Sequence, residues 1–259
     1  MEFKMDFTNK ETVLDLNNIR ESLIRMEDTI VFDLIERAQF YQQSPIYDSS
    51  KLTVPGFNGC FLDWVILQTE KVHSKIRRYE ATDEIPFFPD ELEKPILPPM
   101  ELPQVLAPYH KEVNVNDEIK KYYIEKVVPA VAAAPGDQPE NHGSVAITDL
   151  ECLQAISRRI HFGKFVAESK FQSEPERFTK LIQARDSKGI DEAITNSAVE
   201  KKVLERIASK TDTYSGPVLR WSQKVQGKLT GDIVTSIYKE LIIPMTKKVE
   251  VDYLLRRLE

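Results

Sequence analysis

The stretch SVAITDLECLQAISRRIHFGKFVAESKF, Ser144 to Phe171, decides the fold. It contains no proline, and Gly163 is its only glycine. A run this long without a breaker reads as one helix. Ser144, directly after Gly143, is one candidate cap, and Thr148 with Glu151 forms a capping box one turn later. Arg159 and Lys170 stand eleven positions apart. At about 100° per residue they fall within about 20° of each other, about 16 Å apart along the axis. Between them the same face carries Gly163, Val166 and Ala167, all small. Glycine inside a helix costs about 1 kcal/mol against alanine, so something has to approach the backbone there. The face reads as a shallow floor with a cation at each end, suited to a small dianion. A solvated charged face, with Gly163 serving helix packing, is the competing reading.

Outward from this segment the pattern stays helical. Leu16, Leu23, Ile24, Ile30, Val31, Leu34 and Ile35 predict a helix over Glu11–Tyr41, opened by a Thr8/Glu11 capping box. Phe61, Leu62, Trp64, Val65, Leu67, Val72 and Ile76 predict a second over Gly59–Tyr79. Glu84–Pro108 holds Pro86, Pro89, Pro95, Pro98, Pro99, Pro103 and Pro108, which make it an extended connection. Its Phe and Leu content predicts that it packs on the body. Further helices are expected at Asn116–Val131, Phe178–Arg185, Ile190–Ser209 and Gly231–Leu258, the last kinked by Pro244. Pro135–Gly143 reads as a polar loop, and 211–230 as a mobile one with its core at Thr211–Gly227. No repeat and no alternating strand is evident. The fold class is all-α: one multi-helix bundle with long helices, a single domain over 1–259.

Composition agrees. Only 9 of 259 residues are glycine, few for a turn-rich β fold. The net charge of −6 speaks against a nucleic-acid or anionic-lipid surface, leaving room only for local cationic pockets. No apolar run approaches the roughly 18 residues of a membrane span, and Met1–Lys10 lacks a secretory apolar core. Cys60 and Cys152 form no CxxC pair, which fits a reducing, cytoplasmic setting. His73, His110, His142 and His161 are scattered without metal-ligand spacing, so no metal is expected. GxGxxG, P-loop and GxSxG motifs are absent. Cys152 and His161 lie about 180° apart on their helix and form no nucleophile–base pair.

Other helices repeat the theme of the first. Arg20 shares a face with Leu16, Leu23 and Ile24. Asn196 and Glu200, and Thr246 and Glu250, are four apart and so co-facial. Together they offer cations, carboxylates and small polar groups projecting from separate helices. The residues alone leave three readings open: an enzyme, a dianion-binding module without turnover, and a helical adaptor.

Six segments carry a resemblance. LNNIR (Leu16–Arg20), FLDW (Phe61–Trp64), IRRYE (Ile76–Glu80), ISRRIHFGKFVAE (Ile156–Glu168), TNSAVE (Thr195–Glu200) and VDYLLRRL (Val251–Leu258) closely resemble the fungal, yeast-type chorismate mutases over nearly the whole chain. The resemblance implies an all-helical homodimer that converts chorismate to prephenate, without cofactor or covalent intermediate, in phenylalanine and tyrosine biosynthesis. It implies that Arg20 and Arg159 each hold a carboxylate. Lys170 and Glu250 address the ether oxygen, Glu200 with Asn196 takes the ring hydroxyl, and Thr246 assists a carboxylate. Glu250 next to a developing oxyanion has to act protonated. The resemblance also implies inhibition by tyrosine and activation by tryptophan at an interface site formed by Arg77, Arg78, Asn141, Gly143, Ser144 and Asp28, with Thr230 as a switch position. Ile147 stands where the family offers the effector a threonine hydroxyl.

Overall fold

The computed structural model describes residues 5–221 and 229–259. Twelve α-helices follow one another there, with no strand among the described residues. They are α1 (Lys10–Leu14), α2 (Leu16–Arg37), α3 (Phe61–Lys75), α4 (Asn116–Tyr122), α5 (Val128–Val131) and α6 (His142–His161). After these come α7 (Gly163–Ser173), α8 (Pro175–Gln183), α9 (Ser187–Ile194), α10 (Ser197–Trp221), α11 (Gly231–Ile237) and α12 (Ile243–Leu255). The all-α fold read from the sequence is the observed one. α2 packs along α6, α7 along α12, and α10 against α2 and α11. None of these helices is long and apolar enough to cross a membrane.

Several expected helices are divided, each by an identifiable device. The first breaks at Asp15, whose carboxylate leaves the helix to accept the N–H groups of Asn17 (2.9 Å) and Asn18 (3.0 Å). Asn9, not Thr8, caps α1. α2 stops at Arg37, short of Tyr41. The buried Arg37 guanidinium donates to the carbonyls of Tyr41 and Gln42, both at 3.1 Å, and pairs with Asp149 of α6 at 2.7 Å. Burial raises the Asp149 carboxyl's pKa, against the guanidinium and the hydroxyls of Tyr47 and Tyr123. α3 is shorter than Gly59–Tyr79, because Arg77 adopts a left-handed φ of 68°.

The segment Ser144–Phe171 is two helices. α6 starts earlier, at His142, so Gly143 and Ser144 lie in its first turn, and the Thr148 hydroxyl donates within the helix to Val145. α6 ends at His161 and α7 starts at Gly163. Helices over Asn116–Val131 and Gly231–Leu258 each contain a π turn, Tyr123–Val127 and Tyr238–Ile242. Each sits just before a proline, Pro129 or Pro244, which lacks the N–H and crowds the carbonyl four residues back.

α8 begins and ends a little before Phe178–Arg185. The helix expected at Ile190–Ser209 breaks at Thr195, whose backbone is extended. The segment expected as a mobile loop is helical over 211–221, as the second half of α10. Thr211 is fully buried there and donates to Ile207 at 2.8 Å. Residues 222–228 of that segment lie outside the described residues. The proline-rich stretch is extended and packs at both ends: Phe87 and Phe88 donate to Glu70, and Ala107 donates to the Tyr253 hydroxyl. Its middle, with Ile96 and Leu97, is exposed.

Candidate active site

Six helices and the α9–α10 turn enclose a cavity of about 270 Å³. α2 supplies Arg20, α6 supplies Arg159 and α7 supplies Lys170. The α9–α10 turn and the first turn of α10 supply Asn196 and Glu200, and α12 supplies Thr246 and Glu250. All seven residues singled out in the sequence therefore line one space. Leu16, Leu23, Val166, Val203 and Ile243 form its apolar wall.

The floor is close-packed because of Gly163. A Cβ there would meet Thr246 Cγ2 at 2.9 Å, the Thr246 carbonyl at 3.2 Å and Glu250 Cγ at 3.2 Å. The glycine brings α7 onto α12 at the two polar residues of the site. It does not open a gap for a ligand, as the spacing had suggested. Gly163→Ala is expected to cost about 1–3 kcal/mol by overpacking and to lower activity as well, because α12 must move. Thermal melts and turnover of the same sample check both.

The polar groups divide into those with partners and those without. Arg159 is buried, and its Nε and Nη1 have no hydrogen-bond partner among the described residues. Glu250 Oε2 and Thr195 Oγ1 are in the same condition. Unsatisfied buried polar atoms are costly, so four of them, on three residues lining one cavity, mark the place of a polar ligand. The others are engaged. Lys170 Nζ donates to the Ile194 carbonyl, Thr246 Oγ1 donates to Ile242 at 2.6 Å, and Lys247 pairs with Glu200 at 2.7 Å. Asn196 caps α10 by accepting the Val199 N–H at 3.2 Å. Arg20 lines the cavity yet stays exposed, which places it at the rim.

Burial pushes the Glu250 carboxyl up to about 7, against the pull of Lys170, Arg159 and Lys247, while Asp191 pushes the same way as burial. Burial also lowers the Lys170 ammonium's pKa, which Glu250 opposes. At neutral pH the site thus combines cations with a carboxyl that can still donate a proton.

A wider hollow of about 890 Å³ lies at α8 and α9. Among its charged groups, Arg177 pairs with Glu174 at 2.9 Å, and Asp186 caps α9 through Gly189. Lys247 and Thr195 were missed in the sequence. Lys247 is three positions before Glu250, and that spacing was the available signal.

The candidate effector residues are not brought together within one chain. Arg77 donates to the Pro98 carbonyl at 2.6 Å, and Arg78 reaches Gln154 on α6 at 3.3 Å and Glu84 at 3.3 Å. Asn141, Gly143 and Ser144 lie at the start of α6, about 15 Å from Gln154 along the helix. Asp28 is engaged by Lys210 (2.7 Å) and Tyr214 (3.1 Å) of α10. Thr230 caps α11.

The fold and cavity define an all-helical protein whose separate helices project fixed charges into one small cavity. The profile of the family "Chorismate mutase type II" matches residues 141–251. A chorismate mutase of Saccharomyces cerevisiae is 53% identical over 257 residues, covering 98% of this chain and 100% of the relative. The crystal structure of Candida albicans Aro7p chorismate mutase in complex with L-Trp superposes with a TM-score of 0.93 at 56% identity, covering 98% and 95% of the two chains. That of AtCM1 with tyrosine bound in its allosteric site gives 0.84 at 41% identity, covering 94% and 96%. The chain belongs to the chorismate mutase family.

Proposed function

We propose that the 270 Å³ cavity converts chorismate to prephenate by an intramolecular [3,3] rearrangement. The observation that carries this is the pair of buried groups without partners, Arg159 and Glu250, facing one small space. The reaction moves no proton between molecules and needs no nucleophile. What it needs is a compact conformer and stabilisation of the negative charge that grows on the ether oxygen as the C–O bond breaks. Arg159 and Arg20, on different helices, each hold one carboxylate through a guanidinium fork. Lys170 and the protonated Glu250 donate to the ether oxygen. Glu200, with Asn196 beside it, takes the ring hydroxyl, and Thr246 assists a carboxylate.

Tyrosine inhibition and tryptophan activation belong to the same proposal, supported by the amino acids bound in the related structures. So does a homodimer. Val72 of α3, Ile76 just after that helix and Ile147 of α6 are 59%, 55% and 45% exposed, an apolar surface that a second copy covers. Arg77 and Arg78 of one protomer then meet Asn141, Gly143 and Ser144 of the other, whose first-turn N–H groups suit a carboxylate. Ile147 offers tyrosine no hydroxyl partner, which weakens that effector. We assign the whole of 1–259 to one such domain and the protein to the cytoplasm.

Purified protein incubated with chorismate is expected to consume it and yield prephenate, with rates lowered by tyrosine and raised by tryptophan. No loss of chorismate overturns the catalytic reading. A rate indifferent to both amino acids overturns the regulatory one.

A further inference from the structure

We infer that Glu168, Tyr253 and Arg257 form a positioning clamp, on the side of α7 away from the cavity, that sets Lys170 against Glu250. Glu168 precedes Lys170 by two positions, about 200° around the helix, so the two side chains leave α7 on opposite sides. The Glu168 side chain is 1% exposed. Its carboxylate accepts four hydrogen bonds: Arg257 Nε at 2.7 Å, Arg257 Nη2 at 3.0 Å, the Tyr253 hydroxyl at 2.6 Å and Gln172 Nε2 at 2.9 Å. These hold its pKa below the usual carboxylate value despite burial.

Tyr253 stands on α12 three positions after Glu250, and Arg257 just beyond the end of that helix. The Tyr253 hydroxyl also accepts the Ala107 N–H at 2.9 Å, and the Tyr109 hydroxyl donates to the Tyr253 carbonyl at 2.8 Å. The Arg257 guanidinium lies 4.8 Å from the centre of the ring of Phe171, the residue after Lys170. The end of the proline-rich stretch, the end of α12 and the middle of α7 therefore converge on one carboxylate.

A buried ion pair adds little net stability, since an apolar replacement of the same shape is often neutral. What a bidentate, four-donor arrangement adds is direction. It fixes the axial offset and the rotation of α7 against α12. The seam is pinned a second time where Gly163 meets Thr246 and Glu250. With both points held, the Lys170 ammonium and the Glu250 carboxyl keep one separation across the cavity. Arg20 and Arg159 stand on α2 and α6, outside this seam, so substrate capture does not depend on it.

The inference rests on the reading that Lys170 and Glu250 address the ether oxygen. The test uses the full-length chain with Glu168→Gln and Arg257→Lys, measured beside Glu250→Gln. The clamp variants are expected to lose about tenfold in kcat, the scale of a small misplacement of positioned groups, with KM changed by less than about twofold. The pH at which the rate falls by half moves in both, because the distance from Lys170 to Glu250 changes. Wild-type kcat and pH profile in folded Glu168→Gln and Arg257→Lys overturn the clamp, whatever happens to Tm. Should either fail to fold, Tyr253→Phe removes one hydroxyl and is read in the same way. If Glu250→Gln flattens the pH profile while the clamp variants match wild type, the clamp alone fails. If Glu250→Gln keeps the wild-type profile, the reading of the site fails with it.

Discussion

Arg159→Ala is expected to lower kcat/KM for chorismate about a thousandfold, ~4 kcal/mol of transition-state stabilisation. Arg159 is the buried cation of the cavity, and two of its nitrogens have no protein partner among the described residues. Its guanidinium is therefore expected to meet the ligand in a buried space, where charge-assisted hydrogen bonds are strongest. No protein hydrogen bond to Nε or Nη1 is broken by the truncation. The loss should thus appear in catalysis far more than in the circular-dichroism melt. Arg159→Lys restores the charge without the planar fork and recovers only part of the rate. An alanine variant within about threefold of wild type would remove Arg159 from the mechanism.

The second large effect concerns Glu250→Gln. With its carboxyl pushed up to about 7, the wild-type enzyme is expected to work best below that pH and to fall about tenfold between pH 6 and 8 as the donor becomes a repelling carboxylate. Glutamine cannot ionise and still offers an N–H, so the variant's rate is flat between about pH 5 and 8. Lys170, whose pKa burial lowers, is left to set the alkaline limit. The same group makes a prediction for stability. Its folded value lies above the ordinary 4.5, so the native state holds a proton that the unfolded chain gives up. That contribution is present in full below about 4.5, and it is lost as pH rises through about 7. Glu250→Gln should therefore match wild type in denaturant melts near pH 4 and exceed it at pH 8. A variant with an unchanged pH–rate profile and no gain at pH 8 contradicts both statements.

Most of the cavity was readable in the sequence because its residues sit on helices, where spacing fixes direction. Arg159 with Lys170, and Thr246 with Glu250, needed only the 100° step. The divisions of those helices were not readable. The break before Gly163 leaves Phe162 with helical angles, φ −62° and ψ −16°, and depends on how closely α12 approaches. The break at Asp15 turns on one carboxylate choosing backbone N–H groups over solvent. The tail of α10 looked like a loop because its sequence is polar, while Thr211 is buried by packing that no local pattern records. Lys247 passed unnoticed as one of several lysines on a helix. Its pairing with Glu200 joins α12 to α10, which are distant in sequence. Arg77 and Arg78 stand apart from Asn141 and Ser144 in one chain, and helix spacing says nothing of groups that lie on separate elements.

The widened turn at Tyr238–Ile242 holds one amino acid more than an ordinary α-helical turn would. Thr246, Lys247 and Glu250 all lie downstream of it on the same rod. Winding 238–242 as ordinary α-helix with every residue kept would rotate everything after it by about 100°. The acid would then swing out of the chamber, and Val249 would take its place. In this chain the irregular winding is a spacer that keeps the working face in phase, and tightening that turn at unchanged length would disarm the enzyme.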